Sequence, residues 1–256
     1  MEIKEILKKV DHTLLKPEAD WPQIKTLCDE GIRYGVASVC IPPRFVRQAK
    51  EYVGNSLKIC TVAGFPNGYN SSEVKAFETK SALADGADEI DMVIAVGALK
   101  EGNIEYVERE VRELTKICHE EGKIIKVIIE TCLLTEAEKI AMCGIVTDAE
   151  ADFIKTSTGF SFGGATREDI RLFAAHIGSR VKMKAAGGIR SLRDAEDFLA
   201  LGCERLGTSA IVRLAKETET ERANGKKHDA AHKTRIRPVR SSERIPLRQE
   251  ESHPAC

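Results

Sequence analysis

The chain has 256 residues, 42% hydrophobic and 31% charged, with a formal net charge of −1. That composition belongs to a globular protein of one large domain or two small ones, and the near-neutral charge offers no electrostatic case for nucleic acid or an anionic membrane. No apolar run is long enough to span a bilayer, and the N-terminal "MEIKEILKKVDHTLLK" reads as a short amphipathic helix rather than a signal peptide.

Short β-branched runs then alternate with longer segments of helical spacing. The candidate strands are "HTLL" (12–15), "VASVCI" (36–41), "KICTVAG" (58–64) and "EIDMVIA" (89–95). Four more follow: "IKVIIE" (125–130), "DFIKTS" (152–157), "VKMKAAG" (181–187) and "RLGTSA" (205–210). Between them, 71–86 opens on a serine cap followed by Glu73 and closes on glycine, a helix signature. The stretch 103–122 places Ile104, Val107, Val111, Leu114 and Ile117 on one face, and 135–150 and 191–202 repeat the plan. Strand–helix alternation predicts a parallel sheet, and eight units predict closure into a (β/α)8 barrel, the TIM-barrel architecture. An open doubly wound sheet is the alternative, but no G-x-G-x-x-G follows the first strand.

The pattern stops near Lys216. The last 40 residues hold nine Lys or Arg, seven Asp or Glu, and Ile236, Val239, Ile245 and Leu247 as their only large aliphatic residues. Too little apolar area is available there to offset the entropy of ordering, so the expectation is a barrel domain over 1–222 and a disordered, charged tail over 223–256. The basic stretch "RIRPVRSSERIPLR" leaves open an anionic partner, and His228 and His232 are weak as a metal pair. Cys28, Cys40, Cys60, Cys118, Cys132, Cys143, Cys203 and Cys256 are scattered without a C-x-x-C pair. They suggest a reducing, cytoplasmic compartment and neither disulfides nor a zinc site.

Charged residues inside the strands are the chemical signal. A lysine in a buried strand is unfavourable unless paired or neutralised, and an unprotonated amine is a nucleophile. Strand alternation turns Lys155, Lys184 and Asp91 inward, on strands six, seven and four. Lys182 and Glu89 lie one step lower and are expected to form a structural pair. Two neighbouring lysines depress one another's pKa, and the one that loses its proton can form an imine with a carbonyl. A carboxylate with water can then move protons at the adjacent carbon. That set suits carbon–carbon bond cleavage or formation beside a carbonyl, with no metal or organic cofactor. Glycine-rich turns, "STGFSFGGAT" (157–166), "AAGGIRS" (185–191) and "LGTSA" (206–210), follow the last three strands. Gly187, Gly188, Gly207 and Ser209 fit the backbone nest that barrels use for phosphate.

"DHTLLKP", "VCIPPRFV", "TVAGFPNG", "GADEIDMV", "FIKTSTGF", "KAAGGIR" and "LGTSA", in this order over residues 5 to 212, resemble deoxyribose-phosphate aldolase. The resemblance implies a class I, Schiff-base aldolase that interconverts 2-deoxy-D-ribose 5-phosphate with acetaldehyde and D-glyceraldehyde 3-phosphate. It implies that Lys155 forms the Schiff base, Lys184 lowers its pKa, and Asp91 relays protons through water. Thr158, Gly159, Gly187, Gly188, Gly207 and Ser209 match positions toward the phosphate or sugar, and Asp11 and Thr13 match polar positions near the sugar. Cys40 matches a cysteine near the site in some members, and core packing explains it equally well. The chain departs from the family's pattern after Ala210, where Ile211 replaces a small residue of the phosphate cradle. It also departs in a tail without tyrosine. A metal-using isomerase or epimerase of sugar phosphates is the second expectation, disfavoured by the lack of a second inward carboxylate near the strand tops and of a histidine pair. A silent barrel with a partner-binding tail is the third. The sequence does not set the oligomeric state, and a homodimer, the commonest assembly of soluble enzymes, is one candidate.

Overall fold

The structure, a computed structural model, describes residues 1–221. Its barrel unit runs Met1–Lys216. The expectations for 223–256 lie outside the described residues.

The N-terminal half runs α1 (Ile3–Leu7), β1 (Val10–Thr13), α2 (Trp21–Tyr34), β2 (Ser38–Cys40), α3 (Val46–Val53), β3 (Ile59–Ala63), α4 (Ser72–Ala84) and β4 (Glu89–Val93). The second half runs α5 (Val96–Lys100), α6 (Ile104–Glu120), β5 (Ile124–Ile128), α7 (Glu136–Asp148), β6 (Phe153–Lys155), α8 (Arg167–His176), β7 (Lys182–Ala186), α9 (Leu192–Ala200) and β8 (Cys203–Gly207). All eight strands pair in parallel with their sequence neighbours, and β1 closes on β8. The expected closed barrel is the one observed, and an open sheet is excluded.

Local chemistry sets the helix ends. Asp20 with Gln23, Thr135 with Glu138, and Ser191 with Asp194 form reciprocal capping boxes at α2, α7 and α9. At α4, Ser71 occupies the cap position, but its side chain makes no cap hydrogen bond. On α6, Val107, Val111, Leu114 and Ile117 are buried as expected, while Ile104 in the first turn is 39% exposed.

Alternation divides the sheet. Val10, Val39, Ile59, Ile90, Val127, Ile154, Met183 and Leu206 face the helices in one apolar cluster. Their neighbours face the barrel interior. A buried ion pair also lies outside that interior: Lys75 on α4 donates to Glu110 on α6 at 2.7 Å and to the Val93 carbonyl at 2.8 Å. Glu110 also accepts the Ala95 N–H at 3.0 Å, so the pair fixes the end of β4 from outside. Gly64 gives it room, because a Cβ there would lie 2.7 Å from Lys75 Cε.

Removing one partner of such a pair strands a buried charge. Glu110→Ala is expected to destabilise the fold by about 3–5 kcal/mol, whereas the double change Lys75→Met with Glu110→Leu costs less. Urea unfolding of the two variants checks the order.

Candidate active site

β4 and β8 stand on opposite sides of the ring, so a contact between them crosses the interior. Arg205 on β8 makes it, donating to Glu89 on β4 at 2.8 Å and to Asp11 on β1 at 2.5 Å. Lys126 on β5 reaches Glu89 and Asp91 at 2.7 Å each. Lys184 on β7 reaches Asp11 at 2.5 Å and Asp91 at 2.7 Å. Lys155 on β6 reaches Asp91 at 2.7 Å. The barrel is thus filled by four basic and three acidic side chains, all buried.

Asp91 is the hub. Its Oδ1 meets Lys126 and, at 3.2 Å, the Cys60 thiol, while its Oδ2 meets both Lys155 and Lys184. Burial pushes the carboxyl up, but the Lys126, Lys155 and Lys184 ammonium groups more than offset this and hold Asp91 well below the usual carboxylate range. Asp11 is depressed likewise, with Lys184, Lys126 and Arg205 overcoming burial. Burial pulls Lys184 down, but Asp11 and Asp91 prevail and raise it above the ordinary lysine value. Lys184 therefore keeps its charge beside Lys155, its register partner on the next strand.

Above this layer, at the C-terminal ends of the strands, opens a cleft of 560 Å³. Lys155 reaches its floor, and Thr13, Thr158, Gly159, Gly187, Gly188, Gly207 and Ser209 line it. Lys184, Asp91 and Asp11 lie beneath, in the buried network. Gly187 and Gly188 both have φ of 80°, a conformation open to glycine, and Gly164 packs so tightly on Gly187 that a Cβ would come within 2.5 Å of its carbonyl. A Cβ on Gly207 would sit 3.3 Å from Lys184 Cε. Ile211, expected to disturb the cradle, is fully buried in the apolar cluster and is not part of the cleft wall.

Two expectations are corrected. Glu89 pairs with Arg205 and Lys126, not with Lys182, which is half exposed and 3.8 Å from Glu204. Near the strand tops a second buried carboxylate does exist: Glu130, just after β5. Sequence reasoning also missed Lys126, Arg205 and the exposed Lys16 and Arg190 at the cleft. Lys126 carried the same signal as Lys155, a lysine inside an apolar run.

Cys40, 1% exposed, packs with Cys60 and Val62 beneath Leu15 and Phe65, and only Leu15 of these lines the cleft. Its thiol is pulled below the ordinary value, first by a hydrogen bond with Cys60. Cys40, Cys60 and Asp91 place possible metal ligands within 4.8 Å of one another, but the three ammonium groups around Asp91 oppose a cation there. His12 is buried against Glu30 at 2.9 Å, and His176 is exposed on α8. A hollow of 840 Å³ at the opposite end of the barrel is lined in part by groups already in ion pairs, Arg180 with Glu150 and His119 with Asp152.

A buried lysine pair bridged by one carboxylate, under a glycine-walled cleft at the strand tops, defines a barrel enzyme of Schiff-base type. Residues 6–202 match the family model described as DeoC/LacD family aldolase. The chain is 53% identical over 221 residues, 86% of its length and 98% of the relative's, to a deoxyribose-phosphate aldolase of Streptococcus agalactiae. Among solved structures, an aldolase named QR15 superposes with a TM-score of 0.80 at 35% identity, covering 86% of this chain and 98% of that one. A tetrameric deoxyribose-phosphate aldolase from Aeropyrum pernix gives a TM-score of 0.79 at 29% identity, covering 85% and 92%. The chain belongs to the DeoC/LacD family of aldolases and is a carbon–carbon lyase.

The depressed carboxyls fix an acid limit. Asp91 and Asp11 are held below the ordinary carboxylate range, so their contribution to stability is complete at and above that range and is lost as pH falls through the folded values. Urea titrations are expected to show a steep loss below about pH 4 that flattens in Asp91→Asn.

Proposed function

We propose that this site cleaves 2-deoxy-D-ribose 5-phosphate to D-glyceraldehyde 3-phosphate and acetaldehyde with Lys155 as the nucleophile. The observation that carries the assignment is the difference in ion-pair contacts. Among the described residues, Lys155 meets one carboxylate, whereas Lys184 meets two. A close pair contributes roughly 4 kcal/mol at an effective dielectric of 20, so taking the proton from Lys184 forfeits about twice as much. Lys155 is also the one of the two that reaches the cleft.

The steps follow from that geometry. Lys155 Nζ adds to the C1 carbonyl of the open-chain sugar, and loss of water gives a protonated imine. Removal of the C3 hydroxyl proton breaks the C2–C3 bond, its electrons pass to the imine, and glyceraldehyde 3-phosphate leaves. Asp91 and Lys184, joined through Oδ2, relay a proton by way of water to C2 of the enamine, and hydrolysis then releases acetaldehyde. Gly187, Gly188 and Ser209, with Arg190 and Lys16 at the rim, offer donors and positive charge to the phosphate. Thr13, Thr158, Gly159 and Gly207 flank the sugar. The reaction serves deoxyribose phosphate and deoxyribonucleotide catabolism. Residues 1–222 are taken as the catalytic domain.

The sugar-phosphate isomerase reading keeps the phosphate cradle but has no observation in its favour, since the inward carboxylates Asp11 and Glu89 are tied to Lys184, Lys126 and Arg205. A cytoplasmic homodimer is the proposed setting. No described helix is long and apolar enough to cross a membrane, and Val74 and Phe77, exposed at i and i+3 on α4, offer surface for a second copy.

Lys155→Ala is expected to lower kcat by about a thousandfold or more while leaving the melting temperature near that of the parent. Turnover of 2-deoxyribose 5-phosphate within tenfold of the parent would end the proposal. Ser209→Ala and Arg190→Ala are expected to raise KM several-fold for this substrate and to leave the retro-aldol of unphosphorylated deoxyribose nearly unchanged.

A further inference from the structure

One buried carboxylate near the cleft has no part in the steps above. Glu130 follows β5 and is 3% exposed. Its backbone is left-handed, with φ 53° and ψ 67°. Glycine would end the strand there without strain, and such outliers persist where their surroundings over-determine them. The surroundings here are the turn after β6. Both Glu130 carboxylate oxygens lie 3.3 Å from the Thr158 N–H donor, and Oε2 accepts the Thr158 hydroxyl at 2.5 Å. Thr158 Oγ1 in turn accepts the Phe160 N–H at 3.1 Å. Beside this, Cys132 Sγ donates to Ser161 Oγ at 3.4 Å, and Gly163 packs so closely that a Cβ would lie 2.7 Å from Cys132 Cβ. The turns after β5 and β6 are therefore clasped together, with Glu130 at the centre.

The clasp has a face on the reaction. Thr158 and Phe160 form the wall between the 560 Å³ cleft and a smaller cavity of 120 Å³ that Glu130 also lines. Thr158 is three residues beyond Lys155 and is itself 7% exposed. Burial raises the Glu130 carboxyl, while the Thr158 donors and Lys155 draw it back.

We propose that Glu130 is a positioning residue for the aldol reaction, holding Thr158 so that its remaining hydrogen-bonding capacity meets a hydroxyl of the bound sugar. The proposal rests on the aldolase reading with Lys155 as nucleophile. Glu130 touches no substrate; it acts through Thr158. Aspartate tolerates the left-handed backbone but draws the carboxylate back by one methylene, whereas glutamine keeps the length and an acceptor oxygen.

The test is a kinetic cycle on Glu130→Asp, Thr158→Val and the double variant, with Glu130→Gln as the rescue and Lys155→Ala alongside. Glu130→Asp and Thr158→Val are each expected to lower kcat/KM about tenfold or more, and the double variant to be no worse than the poorer single within about threefold. Glu130→Gln is expected to stay within about threefold of the parent. Additive losses, a Glu130→Asp enzyme at parental kcat/KM, or a Glu130→Gln enzyme as poor as Glu130→Asp would overturn the positioning role. Turnover retained in Lys155→Ala would instead overturn the reading beneath it, so the two failures are distinguishable.

Discussion

A single carboxylate organises the interior of this barrel. Asp91 sits where three ammonium groups from three successive strands converge, and without it Lys126, Lys155 and Lys184 would be like charges held together in a dry space. Its two oxygens do different things. Oδ1 is occupied by Lys126 and Cys60, and Oδ2 is shared by Lys155 and Lys184, the two lysines to which the proposed chemistry belongs. Lys126 thereby orients the carboxylate, and the carboxylate orients the pair. Charged residues in a barrel core are costly, so the network reads as an arrangement for reactivity more than for stability.

The rest of the fold serves that layer. Apolar side chains fill the shell between strands and helices, which frees the inward positions for charge. Parallel register puts Lys155, the last residue of β6, directly beside Lys184, the middle residue of β7, below the turns that form the cleft. Glycines at 187 and 188, both with positive φ, leave the backbone of those turns uncovered by side chains, as the proposed phosphate contact requires. The Lys75–Glu110 pair, on the outer side, ties the end of the strand that carries Asp91 to two helices.

Much of this was legible in one dimension. Period-two alternation turned Lys155, Lys184 and Asp91 inward, and eight strand–helix units pointed to a closed barrel. The misses have physical causes. Sequence spacing shows which face a residue takes but not its partner across a closed ring, so Arg205 was read as the start of a strand and its bridge to Glu89 went unseen. Strict alternation puts Lys182 on the face of Lys184. The register shifts between Met183 and Lys184, and Lys182 starts its strand at the solvent end. Ser71 has the residue type and backbone of a cap yet makes no cap bond, because cap geometry is not fixed by residue type alone. Glu130 gave no signal, since a left-handed glutamate cannot be seen before the chain is folded.

The central claim is that the charge network selects Lys155, and not Lys184, to form the covalent bond. Borohydride trapping tests it most directly: incubation with acetaldehyde, reduction, digestion and mapping of the modified lysine by mass spectrometry. The account predicts a two-carbon adduct on Lys155, dependent on the aldehyde, with Lys126 and Lys184 unmodified. An adduct on Lys184 in place of Lys155, or none on either, would contradict it.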